Sequence, residues 1–172
     1  MKVPALITAA QLQKFAPACD FMAMAPALDR AARARRIDTP RRVRHFMAHL
    51  HHESMGFRRL EENLNYTTPE RLCAVWPKRF PTVQAAAPYV RNPRALAEKV
   101  YGGRMGNVRP GDGWRHRGGG LIMLTGRDNY ARAQSWSGLP LLEQPELLRQ
   151  IGCDAARADL RCERFVFPHT RR

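Results

Sequence analysis

The chain has 172 residues, a hydrophobic fraction of 44% and a formal net charge of +14, with 29 Lys and Arg residues against 15 Asp and Glu residues. This length suits one domain with its own core, and no apolar run approaches the roughly 20 residues that a membrane-spanning helix needs. The charge favours polyanionic surroundings such as nucleic acid, anionic lipid or a charged cell wall, or it is a solvated arginine-rich surface. Because the basic residues are spread along the chain without a nucleic-acid motif, we expect no nucleic-acid partner.

The cysteines and the N-terminal segment indicate a reducing compartment. The four cysteines lack the paired C-x-x-C spacing of zinc and redox motifs. Residues 3–10 form a poor signal peptide, because this apolar stretch is short and contains a proline and a threonine. We therefore expect synthesis in the cytoplasm without a cleaved leader, and reduced thiols.

Helix-start signals recur along the chain and predict a mainly α domain. They are a capping box at Thr8 and Gln11, and a capping residue followed by proline at Thr39–Pro40, Thr68–Pro69 and Asn92–Pro93. The apolar run at residues 121–124 is expected to form a short buried strand or extended segment. A helix start is predicted after it, with Thr125 as the cap.

The helix predicted to begin at Pro40 determines where the side chain of Glu53 lies. Its apolar residues fall at i, i+3, i+4 and i+7, which makes one stripe of Val43, Phe46, Met47 and Leu50. This stripe should pack on the core and fix the direction of the C-terminal end, where Glu53 emerges. The partial negative charge at a helix C-terminus favours the protonated form of an acid located there.

A second glutamate, Glu62, lies nine residues after Glu53, in a segment without a helical period. Nine residues of helix would separate the two by about 13 Å along the axis, but a chain that reverses at Gly56 can bring them closer. Hydrolysis of a glycosidic bond with inversion uses two carboxyl groups roughly 6.5–9.5 Å apart. One is protonated and donates to the leaving oxygen, while the other is ionised and activates water. Glu61 is a competing candidate for this base.

Two motif blocks carry a resemblance to a known family. The first is His52-Glu53-Ser54-x-Gly56-Phe57 followed by Glu62-Asn63-Leu64-Asn65-Tyr66, and the second is Arg117-Gly118-x-Gly120-Leu121-Ile122-x-Leu124-Thr125-Gly126-Arg127-x-Asn129-Tyr130. Together they resemble glycoside hydrolase family 19, and in particular the short chitinase-like endolysins of phages and prophages. The resemblance extends over residues 5–148.

The resemblance implies a mainly α, lysozyme-like (α+β superfamily) domain with two helical lobes, a substrate cleft and a minor strand or loop element. We expect residues 1–172 to form one such catalytic domain, with 149–172 as a divergent or truncated C-terminal segment. No metal or organic cofactor is required.

The resemblance also assigns roles to residues. Glu53 would be the general acid, and Glu62 the general base, because the family's second glutamate immediately precedes Asn-Leu-Asn-Tyr. Thr125 would help to hold the attacking water, in addition to capping a helix. The residues expected to bind substrate are His52, Asn65, Tyr66, Asn107, Arg117 and Asn129.

The implied function is hydrolysis of β-1,4 bonds in peptidoglycan by a monomer that acts on the wall or periplasm after release or export, at an anionic bacterial envelope. A chitinase acting on N-acetylglucosamine polymer is the first alternative. A weakened wall-binding relic is the second, because Gly119 and Met123 replace the family's arginine and glutamine. A zinc hydrolase using His45 and His49 is a third, although the H-E-x-x-H order is absent.

Overall fold

The structure, a computed structural model, describes residues 4–150. It is predominantly helical there, which confirms the mainly α fold predicted from the sequence. The helices are α1 (Ala9–Phe15), α2 (Phe21–Ala34), α3 (Pro40–Glu53), α4 (Pro69–Val75), α5 (Val83–Ala86), a 3-10 turn (Ala87–Tyr89), α6 (Pro93–Tyr101), α7 (Asp112–Arg115), α8 (Arg127–Ser137) and α9 (Leu147–Gln150). None of the helices in this described part of the chain is long and apolar enough to span a membrane. The prediction of a divergent C-terminal segment concerns residues that, from 151 onward, lie outside the described range.

Side-chain caps fix where the helices begin. The Thr8 hydroxyl accepts the backbone N–H of Gln11 at 3.2 Å, and the Gln11 side chain accepts the backbone N–H of Thr8 at 2.9 Å, which completes the predicted capping box. At the start of α3, the Thr39 hydroxyl accepts the backbone N–H of Arg42 at 3.3 Å, and Pro40 occupies the first turn. The same cap-then-proline arrangement precedes α4 and α6. Such caps typically contribute about 1 kcal/mol each.

The predicted apolar stripe of α3 packs on the N-terminal core. Phe46 and Leu50 are buried in a cluster that includes Leu12 of α1 and Leu28 of α2. Burying a side chain of this size contributes about 1.5–3 kcal/mol, so the stripe fixes the rotation of α3 about its axis. This packing sets the position of Glu53, the last residue of the helix.

A tight turn leads the chain away from the end of α3. Ser54 is fully buried; its hydroxyl donates to the Leu50 carbonyl at 2.6 Å and accepts the Phe57 N–H at 2.8 Å. Met55, Gly56 and Phe57 all have positive φ values, of 50°, 75° and 62°. A non-glycine residue in this region costs of order 1–3 kcal/mol. The buried Phe57 ring offsets part of that cost and so holds the turn in place.

A second cluster supports the segment that carries Glu62. Its buried members are Leu64, Leu72, Phe80, Ala86, Leu96, Ala97 and Val100. They join α4, α5 and α6, and Tyr66, Tyr101 and Trp114 pack at the edge. The side chains at this edge are therefore anchored by an apolar core on one side.

The apolar run at residues 121–124 forms a turn, so the predicted strand or extended segment is wrong. Leu124 and Gly119 exchange two backbone hydrogen bonds, of 2.8 and 3.0 Å, and Met123 has a φ of 49°. Leu124 is buried with Tyr130 in a third cluster, whereas Leu121 packs against the first. A short apolar run does not distinguish a strand from another buried conformation. Here the residues of the run pack in two different clusters.

Candidate active site

The Glu62 carboxylate is held on both oxygens. The Tyr101 hydroxyl donates to Oε1 at 2.5 Å, and the Gly118 backbone N–H donates to Oε2 at 3.2 Å. The Glu62 backbone N–H donates in turn to the Gly118 carbonyl at 2.9 Å. Glu62 is half-buried. The carboxylate is therefore fixed in orientation while part of it remains accessible.

The two tyrosines beside Glu62 remain protonated at neutral pH. Burial raises the pKa of Tyr101 far above its usual range, and the hydrogen bond to Glu62 and the charge of Glu62 raise it further. Burial also raises the pKa of Tyr66, with a smaller contribution from the charge of Glu62. A tyrosine hydroxyl that stays protonated is a permanent hydrogen-bond donor to a carboxylate.

Thr125 lies on the same side of Gly118 as the Glu62 carboxylate. A Cβ added at Gly118 would lie 3.2 Å from Oε2 of Glu62 and 3.5 Å from Oγ1 of Thr125, so both oxygens border one small space. The Thr125 hydroxyl donates to the Met123 carbonyl at 2.9 Å and does not cap α8, whose N-cap is Gly126. The predicted capping role is therefore wrong. The hydroxyl oxygen is available to accept a hydrogen bond from water.

Glu61, the competing candidate for the base, is paired with a buried arginine. Arg117 donates to Oε1 of Glu61 from Nε at 2.8 Å and also from Nη2. The guanidinium stacks on Trp114 with its Cζ 3.5 Å from the ring centroid, and Nη1 donates to the Trp114 carbonyl at 2.6 Å. Arg117 was predicted to bind substrate; in the structure its side chain is 9% exposed and engaged with Glu61.

Two of the three asparagines expected to contact sugar, Asn107 and Asn129, bind the protein backbone. Asn107 is buried; its Nδ2 donates to the Tyr101 carbonyl at 3.1 Å and its Oδ1 accepts the Arg127 N–H at 2.9 Å. The Nδ2 of Asn129 donates to the Thr125 carbonyl at 2.7 Å. These hydrogen bonds hold the backbone of Tyr101 and Thr125, whose side chains lie beside Glu62.

Asn65 shares a pocket with Glu62, whereas His52 does not line that pocket. The Glu62 pocket has a volume of about 320 Å³ and is lined by Glu61, Glu62, Asn63, Leu64, Asn65, Pro93 and Trp114. Tyr66 lies beside it with its ring edge-on to Trp76 at 5.2 Å. His52 lines a different pocket, of about 410 Å³, with His51, Met55 and Arg58. A direct role of His52 at the Glu62 carboxylate is not supported by this arrangement.

Glu53 is the last residue of α3 and is half-buried. The fully buried Ser54 follows it, so its backbone position is fixed by the helix on one side and by the turn on the other. Its assignment as the general acid stays a prediction.

The histidines proposed as zinc ligands are exposed on α3. His45 and His49 both point away from the buried face of Phe46 and Leu50. Across residues 4–150, no group of three or more His, Cys, Asp or Glu side chains is arranged to hold a metal ion.

Sequence reasoning missed Tyr101 as a member of this site. The available signal was chemical: a tyrosine at the end of a buried helical face must find a hydrogen-bond partner for its hydroxyl. The partner is Glu62, which is 39 positions away in the sequence.

A fold of this kind is consistent with a lysozyme-like domain, and sequence comparison supports a glycoside hydrolase at the level of family 19. The chain is similar to a Haemophilus influenzae (strain ATCC 51907 / DSM 11121 / KW20 / Rd) protein described as "Glycosyl hydrolase family 19 domain-containing protein", with 45% identity over 95 residues. These residues cover 54% of this chain and 47% of the relative, so the chain spans about half the length of the protein it matches. No protein-family model matches the chain.

Proposed function

We propose that this chain is an inverting glycoside hydrolase of the endolysin or muramidase type, which cleaves β-1,4 bonds in peptidoglycan. Glu62 is the general base, Glu53 is the general acid, and Thr125 helps to hold the attacking water. The observation that carries the proposal is the fixation of both Glu62 oxygens by Tyr101 and Gly118, next to the Thr125 hydroxyl.

The hydrogen-bond count at Glu62 suits a general base. An ionised carboxylate offers about four acceptor positions, and Tyr101 and Gly118 use two of them. A remaining position accepts a proton from water as the water oxygen attacks the anomeric carbon. The bond from that carbon to the leaving oxygen breaks, and Glu53 supplies the proton to that oxygen. Each assisted proton transfer is typically worth about 10²–10⁴-fold in rate.

The substrate class rests on the resemblance and on charge. The motifs resemble compact endolysins, and a net charge of +14 suits an anionic bacterial envelope. Asn65 and Tyr66, beside the Glu62 pocket, would contact the saccharide. In this proposal the protein acts as a monomer, is made in the cytoplasm and reaches the wall after release or export.

Lysis of permeabilised bacteria, followed as a loss of turbidity, tests the catalytic assignment. Glu53→Gln and Glu62→Gln should each lower the rate by at least about 10²-fold, because each removes one proton transfer. Glu61→Gln is the matched control, since it changes the neighbouring glutamate that already pairs with Arg117. Full lysis by either Glu53→Gln or Glu62→Gln would remove the proposed pair of carboxyl groups from consideration.

Product analysis separates the proposal from its alternatives. Mass spectrometry of the released muropeptides identifies the bond that is cut, and ¹H NMR of fresh product should show inversion at the anomeric carbon. Chitin oligomers are assayed in parallel, and faster hydrolysis of chitin would reassign the substrate. Retention of configuration would contradict the one-step mechanism. Binding to purified wall without any hydrolysis would indicate the inactive relic.

A further inference from the structure

The side chain that holds Glu62 is itself held by a chain of hydrogen bonds. Tyr101 is the last residue of α6, and its hydroxyl donates a hydrogen bond to Glu62. The backbone carbonyl of Tyr101 accepts a hydrogen bond from Asn107 Nδ2 at 3.1 Å. Asn107 Oδ1 accepts the N–H of Arg127, the first residue of α8, at 2.9 Å. These hydrogen bonds connect the end of α6 to the start of α8, next to Thr125.

Packing restricts Tyr101 further. Its ring lies at the edge of the second hydrophobic cluster, against buried residues of the same helix and its neighbours. A hydroxyl on a ring that is fixed by packing keeps one direction, so it restrains the rotation of the carboxylate it binds. A carboxylate on a flexible glutamate side chain would otherwise lose conformational entropy each time it adopted the reactive orientation.

We propose that Tyr101 is a positioning residue for Glu62: its hydroxyl holds Oε1 so that the ionised carboxylate presents Oε2 toward Thr125 and the attacking water, and Asn107 holds Tyr101 in that place. This inference rests on the proposed function for its catalytic part. It gives Asn107 a role within the protein in place of the substrate contact predicted from the sequence. The hydrogen bond itself exists independently of which saccharide is cleaved.

Tyr101→Phe removes the hydroxyl and leaves the ring in the cluster. We expect kcat to fall about tenfold, because a hydrogen bond to a charged group is lost, while KM changes less than about twofold. We also expect the acidic limb of the kcat/KM profile, which reports protonation of the base, to move to higher pH, because the carboxylate loses a donor that favours its ionised form. Tyr89→Phe is the matched control, since Tyr89 packs on Phe80 in the same cluster.

A spectroscopic measurement tests the contact without relying on activity. A tyrosine hydroxyl proton in a short bond to a carboxylate should exchange slowly and resonate downfield in the ¹H NMR spectrum of the full chain. This signal should vanish in Tyr101→Phe and move upfield in Glu62→Gln, and it should persist in Tyr89→Phe.

The outcomes separate the inference from the proposed function. If the wild-type protein hydrolyses no saccharide, the proposed function fails, and the hydroxyl signal alone decides whether Tyr101 holds Glu62. If the wild-type protein is active, unchanged kinetics in Tyr101→Phe overturn the inference. A lower kcat with a lower melting temperature and an unmoved acidic limb would show a packing role only and would also overturn it. A hydroxyl signal that does not respond to Glu62→Gln has the same consequence.

Discussion

Replacement of Gly118 by alanine should damage catalysis more than stability. The added Cβ would lie 3.0 Å from the Cβ of Glu62 and 3.2 Å from its Oε2. Ordinary contacts of a Cβ are longer, so Glu62 must move by a few tenths of an ångström. Gly118 does not have a positive φ, and its backbone therefore accepts alanine without conformational strain. The steric contact with Glu62 is the main change that this substitution makes.

The expected magnitudes follow from that contact. Overpacking of this kind typically costs about 1–3 kcal/mol, and the half-buried Glu62 side chain can relax, so we expect the low end. Catalysis is more sensitive, because a misplacement of 1 Å can lower a rate by about 10²-fold. The movement also stretches the bond from the Gly118 N–H to Oε2, which is already 3.2 Å long. We expect a loss in kcat of about tenfold.

The assay compares kcat and thermal stability of Gly118→Ala with those of Gly103→Ala. Gly103 has a φ of +71°, and a Cβ added there meets nothing within 4 Å. Gly103→Ala should therefore cost about 1 kcal/mol through backbone strain and leave kcat unchanged. If folded Gly118→Ala keeps its kcat, or if both variants lose kcat equally, the reasoning that Gly118 helps to aim Glu62 is refuted.

Three further predictions concern stability and binding. Burial raises the pKa of Asp29, but hydrogen bonds from Arg33 and from two backbone N–H groups outweigh burial, so the net effect is a lowered pKa. The ionised Asp29 carboxylate therefore contributes to the free energy of unfolding above about pH 4. This contribution is lost as pH falls through the folded-state pKa. Asp29→Asn should therefore unfold at lower urea than wild type at pH 7, and a difference that stays the same down to pH 2 would contradict this assignment. Burial lowers the pKa of His116, so the free energy of unfolding of the wild type should decrease as pH falls below about 6.5. In urea unfolding, His116→Phe should make this free energy less dependent on pH. An unchanged pH dependence would point to another group. Binding to purified envelope, measured by sedimentation, should weaken as salt rises from roughly 0.05 to 0.5 M. The double variant Arg41→Gln/Arg44→Gln, which removes two charges from the exposed face of α3, should show a less steep dependence on salt. Binding that does not depend on salt would argue against an electrostatic partner.

The helical framework was predictable because its signals are local. The bonds from Thr8 to Gln11 and from Thr39 to Arg42 each join residues three positions apart. The proline after Thr39 adds a fixed φ at the position where a helix begins. A sequence pattern of this length contains all the interacting groups, so the starts of α1 and α3 were predicted correctly.

The surroundings of the carboxylates were not predictable from local patterns. Tyr101 reaches Glu62 across 39 positions, and Arg117 reaches Glu61 across 56. Both contacts depend on how the packed clusters bring Tyr101 of α6 and Arg117 close to residues 61–62. The resemblance to a family identified Glu62 as a candidate, but the side chains that hold it emerge only from the tertiary structure.

The prediction for Thr125 failed because a glycine competes for the same position. Thr125 precedes Gly126, which has a φ of 91° and serves as the N-cap of α8 without a side-chain hydrogen bond. The Thr125 hydroxyl donates to the carbonyl of Met123. A threonine three residues before an acidic residue therefore matched the capping pattern while its hydroxyl served the preceding turn.

Backbone geometry gives the two adjacent glutamates different surroundings. Glu61 forms an antiparallel bridge with Gly119, and successive side chains of an extended segment point in opposite directions. Glu61 therefore meets the Arg117 guanidinium, while Glu62 points to the neutral donors of Tyr101 and Gly118. Within residues 4–150, Glu62 has no cationic partner within 4 Å. Neutral donors orient Glu62 while part of its carboxylate stays accessible, whereas the Arg117 guanidinium occupies the Glu61 carboxylate. This difference supports the proposed choice of Glu62 as the base.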